Sequence, residues 1–176
     1  MLPIAGSRAV PIPMSKLLFS ALLALVLALP ALADASTGPL QITPADGWTV
    51  KYDATAQSYS VVPPAGPAQN TLLSFTPWPA PGTPAEIPGF LDTMAAKFAD
   101  MAQHNPKIKL ASPQYTKGEF IGDPYSGNYV EFTIKGGLKQ VLFIFGDSTG
   151  LWNGQYIGTA DGWFDAMEVL KGIKKT

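Results

Sequence analysis

The chain has 176 residues, 47% hydrophobic and 14% charged, with no cysteine and one histidine. Its formal charge of −1 argues against a nucleic-acid partner, which needs a basic face. The lack of cysteine excludes disulfides, thiolate zinc clusters and lipid attachment at a lipobox cysteine.

The first element is a leader. MSKLLFSALLALVLALPALADAS, starting at Met14, carries Lys16 as its positive region and an apolar block over Leu17–Leu29. Ala31 and Ala33 then supply small residues at the two positions a signal peptidase reads. Residues 1–33 are therefore read as a signal peptide cleaved after Ala33, with Met14 as an alternative translation start. The mature chain is expected in the periplasm or the medium. The apolar block is short for a bilayer span, so no transmembrane anchor is expected in the mature form; retention of the leader as an anchor is the competing reading. Cleavage removes 33 of 176 residues and leaves 143, enough for one domain. A chain of that size buries roughly 70% of its unfolded surface and needs no covalent staple. Arg8 and Lys16 leave with the leader, so 10 basic and 13 acidic side chains remain, a charge of −3.

Residues 34–46 read as a flexible lead-in to a single globular domain over 47–176. WTVKY (48–52) and YSVV (59–62) are β-rich runs that predict a hairpin, and LLSFT (72–76), after a Pro63-Pro64 and Gly66-Pro67 turn, predicts a third strand. Prolines at 77, 79, 81, 84 and 88 make 77–88 an extended connection, because no helix interior or central strand accommodates that density. Phe90 to Gln103 predicts a helix with Phe90, Met94, Phe98 and Met101 on one stripe and Leu91 and Ala95 beside it. Pro88 suits its first turn and Pro106 stops it.

The second β group starts at Ile108–Tyr115, where Pro113 marks an edge strand or a bulge. YVEFTI (129–134) alternates, and Lys135-Gly136-Gly137 predicts a tight turn into an antiparallel partner. That partner, KQVLFIF (139–145), is apolar on both faces, so both faces need cover; two helices are available to give it. Leu151–Ile157 is read as one strand with Gly154 beneath a crossing helix, rather than as two arms around an Asn153-Gly154 turn. Thr159 or Asp161 caps a last helix with Trp163, Met167 and Leu170 on its stripe, joined by Ala166 and Ile173. Lys171, Lys174 and Lys175 lie near its C-terminal end, where positive charge is favourable. The order β-β-β-α-β-β-β-β-α predicts an α+β fold: a single-domain α/β/α sandwich with a largely antiparallel sheet, a C-terminal meander and two main helices.

Gly146-Asp147-Ser148-Thr149-Gly150 matches the G-x-S-x-G pattern of a hydrolase nucleophile elbow. An elbow needs a helix after the serine, but LWNGQY (151–156) reads as a strand. A triad needs a histidine, and the one available, His104, precedes Ser148 at a proline-terminated helix end. Lys139, the remaining base, reads as exposed. Gly, Asp and Ser are turn residues in their own right, so Ser148 is assigned to a hairpin. Gly122–Asn128 (GDPYSGN) is rich in oxygen but lacks the spacing of a calcium loop. Glu119 and Glu131 read as solvated sheet positions rather than a glycosidase pair. No Gly-rich phosphate loop follows a strand and precedes a helix. No catalytic residue, metal ligand or cofactor is assigned. The candidate binding residues are aromatics outside the helix stripes: Trp78, Tyr125, Trp152 and Tyr156.

This order resembles the PsbP-like superfamily, which includes the photosystem II extrinsic protein, Mog-type proteins and DcrB-like exported bacterial proteins. The likeness is carried by GWTVKYD (47–53), the single long helix, and the meander ending in GQYIGTADGWFDAMEVLKGIKK (154–175). The resemblance implies an α/β/α sandwich around an antiparallel sheet and a non-catalytic partner of a larger assembly; it carries over no catalytic residue. The connection at 77–88 departs from compact members. The reading favoured is an exported, non-catalytic interaction module, an accessory or inhibitor-type protein with a protein partner. The alternatives are a small-molecule or lipid carrier, with a pocket between the sheet and the Phe90–Met101 helix, and a serine hydrolase acting through Ser148.

Overall fold

Nine strands and two helices form among residues 38–63, 71–105 and 108–176, the parts of the chain that the computed structural model describes. The leader over 1–33, the Gly66-Pro67 turn and Pro106 fall outside the described residues. In chain order the strands are β1 (Leu40–Gln41), β2 (Thr49–Asp53), β3 (Ser58–Val62) and β4 (Leu72–Pro77). A 3-10 turn at Pro84–Glu86 leads into α1 (Ile87–His104). Then come β5 (Leu110–Ile121), β6 (Ser126–Ile134), β7 (Lys139–Asp147), β8 (Gly150–Gly158), α2 (Ala160–Lys171) and β9 (Lys174–Lys175).

Seven of these strands form one sheet in the order β2-β3-β4-β8-β7-β6-β5, antiparallel at every joint. The meander β5–β8 is joined by short turns with identifiable causes. Gly136 and Gly137 take φ of 103° and 86°, a region open to glycine at no steric cost. Asp53 organises the β2–β3 turn, its Oδ1 accepting from the amides of Thr55 and Ala56 at 2.8 and 3.1 Å. β5 lies at the sheet edge, and its register with β6 shifts between Leu110 and Tyr115 around Pro113, as a strand proline requires.

The helices cover opposite faces. Phe98 of α1 meets Phe132 at 4.9 Å between ring centroids, and Trp163 of α2 meets Tyr129 at 5.2 Å. Tyr129 and Phe132 are three apart in β6, hence on opposite sides of the pleat. Central β7 is buried from Gln140 to Gly146, which is why its apolar run does not alternate. The α2 side holds the main core, built from Tyr59, Phe75, Phe143, Phe145, Tyr156 and Trp163 with their neighbours. Thr159 caps α2, its hydroxyl accepting from the Gly162 amide at 3.1 Å.

Several expectations are corrected. The long helix starts at Ile87, not Phe90, and its buried face is Ile87, Leu91, Met94, Ala95, Phe98 and Ala102, rotated from the Phe90–Met101 stripe. Gly154 lies within continuous β8, but the ring of Phe143 covers it, not a helix. The expected flexible lead-in contains β1, which pairs antiparallel with β9. Leu40 is only 5% exposed: its side chain enters the core, so burial offsets the ordering entropy a free lead-in would retain.

Candidate functional site

One corner of the domain collects residues from five separate segments. The first is the β7–β8 hairpin. Asp147 Oδ1 accepts from the Thr149 hydroxyl at 2.6 Å, the Thr149 amide at 2.7 Å and the Gly150 amide at 3.2 Å. Partial burial pushes the Asp147 carboxyl upward, but these bonds and nearby Lys175 outweigh it and hold the carboxyl below its ordinary range. Ser148 is a turn residue in this loop, and β8 begins at Gly150 with no intervening helix. His104 stands at the other end of α1 from Phe90, with Nδ1 2.8 Å from the Asp100 carbonyl oxygen. An 18-residue helix is about 27 Å long, and Phe90 is the end that reaches Gly82 beside Leu151. The elbow and its base are thus placed apart.

The second and third segments are the β1–β9 ribbon. Lys175 Nζ donates to the Thr149 hydroxyl at 3.3 Å, and the Thr176 amide donates to the Pro39 carbonyl at 3.3 Å. Tyr59 fastens this ribbon to the sheet. Its hydroxyl accepts from the Leu40 amide at 2.8 Å and donates to the Leu40 carbonyl at 3.2 Å, so a side chain satisfies both groups of a buried backbone unit.

The proline-rich connection is the fourth segment. The Trp78 amide donates to the Leu151 carbonyl at 2.8 Å, prolonging the β4–β8 ladder by one residue. The half-buried Trp78 ring stacks on Phe90 at 5.0 Å and 27°. Its neighbour Trp152, from β8, is also half-buried and approaches Tyr59, Phe75 and Phe145 at 5.9, 6.2 and 6.4 Å. The fifth segment is the Gly122–Tyr125 turn, where Tyr125 meets the edge of Phe145 at 5.9 Å.

Trp78, Tyr125 and Trp152 line one groove of about 540 Å3 with Pro39, Lys175 and the Ser148–Leu151 hairpin. Three of the four aromatics singled out from the sequence therefore meet. Tyr156 does not join them. It is wholly buried, and its hydroxyl donates to the Thr159 carbonyl at 2.7 Å, tying β8 to the start of α2. Tyr125 is a wall rather than a protruding contact, being 3% exposed. The ribbon and Tyr59 escape sequence reasoning, because two-residue strands carry no periodicity and Tyr59 reads as ordinary core.

Other candidate sites dissolve. Glu119 pairs in register with Asn128 and Glu131 with Thr116; the odd spacing of Thr116 and Glu119 puts the two carboxylates on opposite faces. Lys139, expected to be exposed, is half-buried and donates to Glu131 Oε1 at 2.7 Å. GDPYSGN is a turn running into β6, closed by the Gly122 amide donating to the Tyr125 carbonyl at 3.0 Å. Among the described residues, no three His, Asp or Glu side chains gather to hold a metal. The seam offered for a carried ligand is filled by Leu91, Met94, Ala95 and Phe98, all buried. No helix among the described residues is long and apolar enough to cross a membrane.

The buried phenols give a pH signature. Burial pushes Tyr156 up to about 12, and it raises Tyr59 and Tyr125 as well, the latter helped by the Asp147 charge. A raised folded pKa contributes stability that is intact below the unfolded value of about 10 and is lost as pH climbs through the folded one. Tyrosinate absorbance of the native protein is thus expected to lag that of the protein in denaturant across this interval, and Tyr156→Phe to delete the most alkaline step. Superimposable native and denatured titrations would contradict the burial described.

No family model and no curated protein matches the chain. Among solved structures, it is similar to cyanobacterial PsbP (CyanoP) from Synechocystis sp. PCC 6803, at 12% identity and a TM-score of 0.43, over 84% of this chain and 99% of that one. At that identity and TM-score the likeness gives no residue here a role.

Proposed function

We propose that this chain is an exported, non-catalytic protein-binding module that receives its partner in the groove between the Trp78 connection, the Ser148 hairpin and the β1–β9 ribbon. The observation that carries this reading is the convergence of Trp78, Tyr125 and Trp152 on one open cavity. Aromatic residues dominate protein-binding hot spots because they present large rigid apolar area with a polar tip. The leader expected over 1–33 accounts for export, with the domain released to the periplasm or the medium after cleavage at Ala33.

The test is capture from an envelope extract of the source organism, using the mature chain as bait. A stoichiometric protein should be retained by the wild type and lost with Trp78→Ala, while both baits show the same thermal unfolding midpoint. Intact mass of the exported form should place its first residue at Asp34. Empty capture, or equal capture by Trp78→Ala, would sink the binding reading; a mass that includes the leader would sink the export reading.

A further inference from the structure

We infer that the open edge of the sheet pairs with the same edge of a second copy, β5 against β5 in antiparallel order, about a two-fold axis that passes between the two Gly118 residues. β5 is an edge strand of 12 residues, about twice the usual length. Among the described residues no strand lies beyond it, so alternate amides and carbonyls along its outer side face away from the sheet. Pro113 and the shift of register blunt the first part of the strand, up to Tyr115. From Tyr115 to Ile121 the strand pairs with β6 without a break, and this regular stretch offers a partner its outer side.

The side chains of that stretch choose the partner. Tyr115, Lys117, Glu119 and Ile121 alternate onto one face of the strand. It is the face of α1, where Tyr115 meets Phe132 at 5.2 Å and Lys117 reaches Asp92 at 2.5 Å. In order they read apolar, cation, anion, apolar, a pattern that becomes its own complement when reversed. A two-fold axis perpendicular to the sheet keeps the α1 faces of both copies on one side, so residues of equal parity stand opposite and the axis centres on a residue. Centred on Gly118, it sets Lys117 against Glu119 of the second copy, twice over, and Tyr115 against Ile121 of the second copy, also twice. Centred on Lys117 or Glu119 it would set like charges face to face, and centred on Thr116 it would draw Pro113 into the ladder.

The same register accounts for two groups left open in the single chain. Ile121 is 73% exposed, the most of any large apolar side chain among the described residues, and it would lie beside the Tyr115 ring of the second copy, an aromatic–β-branched pair of the kind that stabilises sheets. Glu119 is exposed and takes part in none of the ion pairs among the described residues, while Lys117 keeps 58% of its side chain exposed beside Asp92. An edge bearing one sign of charge repels a second copy; here opposite charges two residues apart attract one. A foreign strand would have to carry this order of residues, whereas every copy of the chain carries it.

The experiment is sedimentation equilibrium of the purified protein up to about 1 mM, high enough to populate a dimer with a dissociation constant of that order. The wild type is expected to move from one chain mass toward two as concentration rises. Lys117→Glu creates two Glu–Glu pairs across the axis and Glu119→Lys two Lys–Lys pairs, so each should dimerise at least about tenfold more weakly. An equimolar mixture of the two variants restores both opposite-charge pairs, and its dimer should return to near wild-type strength. That rescue separates a specific contact from a folding defect, and neither side chain belongs to the groove proposed above. A wild type that stays monomeric, a dimer indifferent to both substitutions, or a mixture that fails to recover overturns the inference. A monomeric wild type whose envelope capture is lost with Glu119→Lys assigns the edge to a strand of another protein, and overturns it too.

Discussion

Gly154→Ala is expected to lower unfolding stability by about 3 kcal/mol, a large share of the roughly 5–15 kcal/mol available to a domain. Gly154 sits mid-strand in β8, paired to Phe75 on one side and Phe143 on the other. A β-carbon there would fall on the Ser74 carbonyl oxygen and on the Phe143 ring. The first is backbone in a central strand and the second is wholly buried, so neither yields without disturbing the sheet. Gly150→Ala provides the control, because a β-carbon there meets nothing within 4 Å, and its effect should stay within about 0.5 kcal/mol. Urea denaturation midpoints of the three proteins decide the matter. A Gly154→Ala midpoint equal to wild type would mean that Phe143 does not cover the strand as described.

Tyr59→Phe is expected to cost about 2 kcal/mol and to free the β1–β9 ribbon while leaving the sheet intact. The ring stays in the core, but the Leu40 amide and carbonyl both lose their partner. Each buried orphan costs roughly 1–3 kcal/mol. A two-stranded ribbon has marginal stability alone, and this one has only the pairs Leu40–Lys175 and Gln41–Lys174. Hydrogen exchange should therefore show lost protection at Leu40, Gln41 and Thr176 with β7 amides unaffected. Tyr52→Phe, whose ring lies 4.6 Å from that of Tyr59, should leave the ribbon protected. If Tyr59→Phe keeps wild-type protection, the ribbon is held by something other than this hydroxyl.

The β-meander was readable because its causes are local. Val130 and Phe132 alternate with polar neighbours, Gly136-Gly137 demands a turn, and the doubly apolar run at 141–145 can sit only between covering layers. The Ser148 turn was readable for the same reason, since Asp147 builds it from its own neighbours. What covers Gly154 was not, because strand parity identifies a face but not which neighbour's side chain lies over it. Pairing of Leu40 with Lys175 joins opposite ends of the chain through two residues each, too few for any pattern. Ser60, Ser74, Gln140, Asn153 and Gln155 alternate as a solvent-facing row would, yet all are at most 9% exposed. One amide pair among them, Gln140 to Gln155 at 3.3 Å, depends on strand register that a linear pattern does not encode. For the site, irregular context singled out Trp78, which lines the groove, whereas Tyr156 shares its strand face with Trp152 but sits under α2. Distance along the strand, not residue type, separates a groove residue from a core one.

The ribbon also brings the two ends of the described domain to within hydrogen-bond reach, with Thr176 bonded to Pro39 and, through its hydroxyl, to Gly38 at 3.2 Å. A short linker from Thr176 to Gly38 would close the backbone into a circle, and the exposed Gly136-Gly137 bend offers a place to reopen it. Such a permuted chain would carry its new ends at the opposite pole of β7 from Asp147. A surface handle could then hold the molecule while its aromatic mouth faces outward.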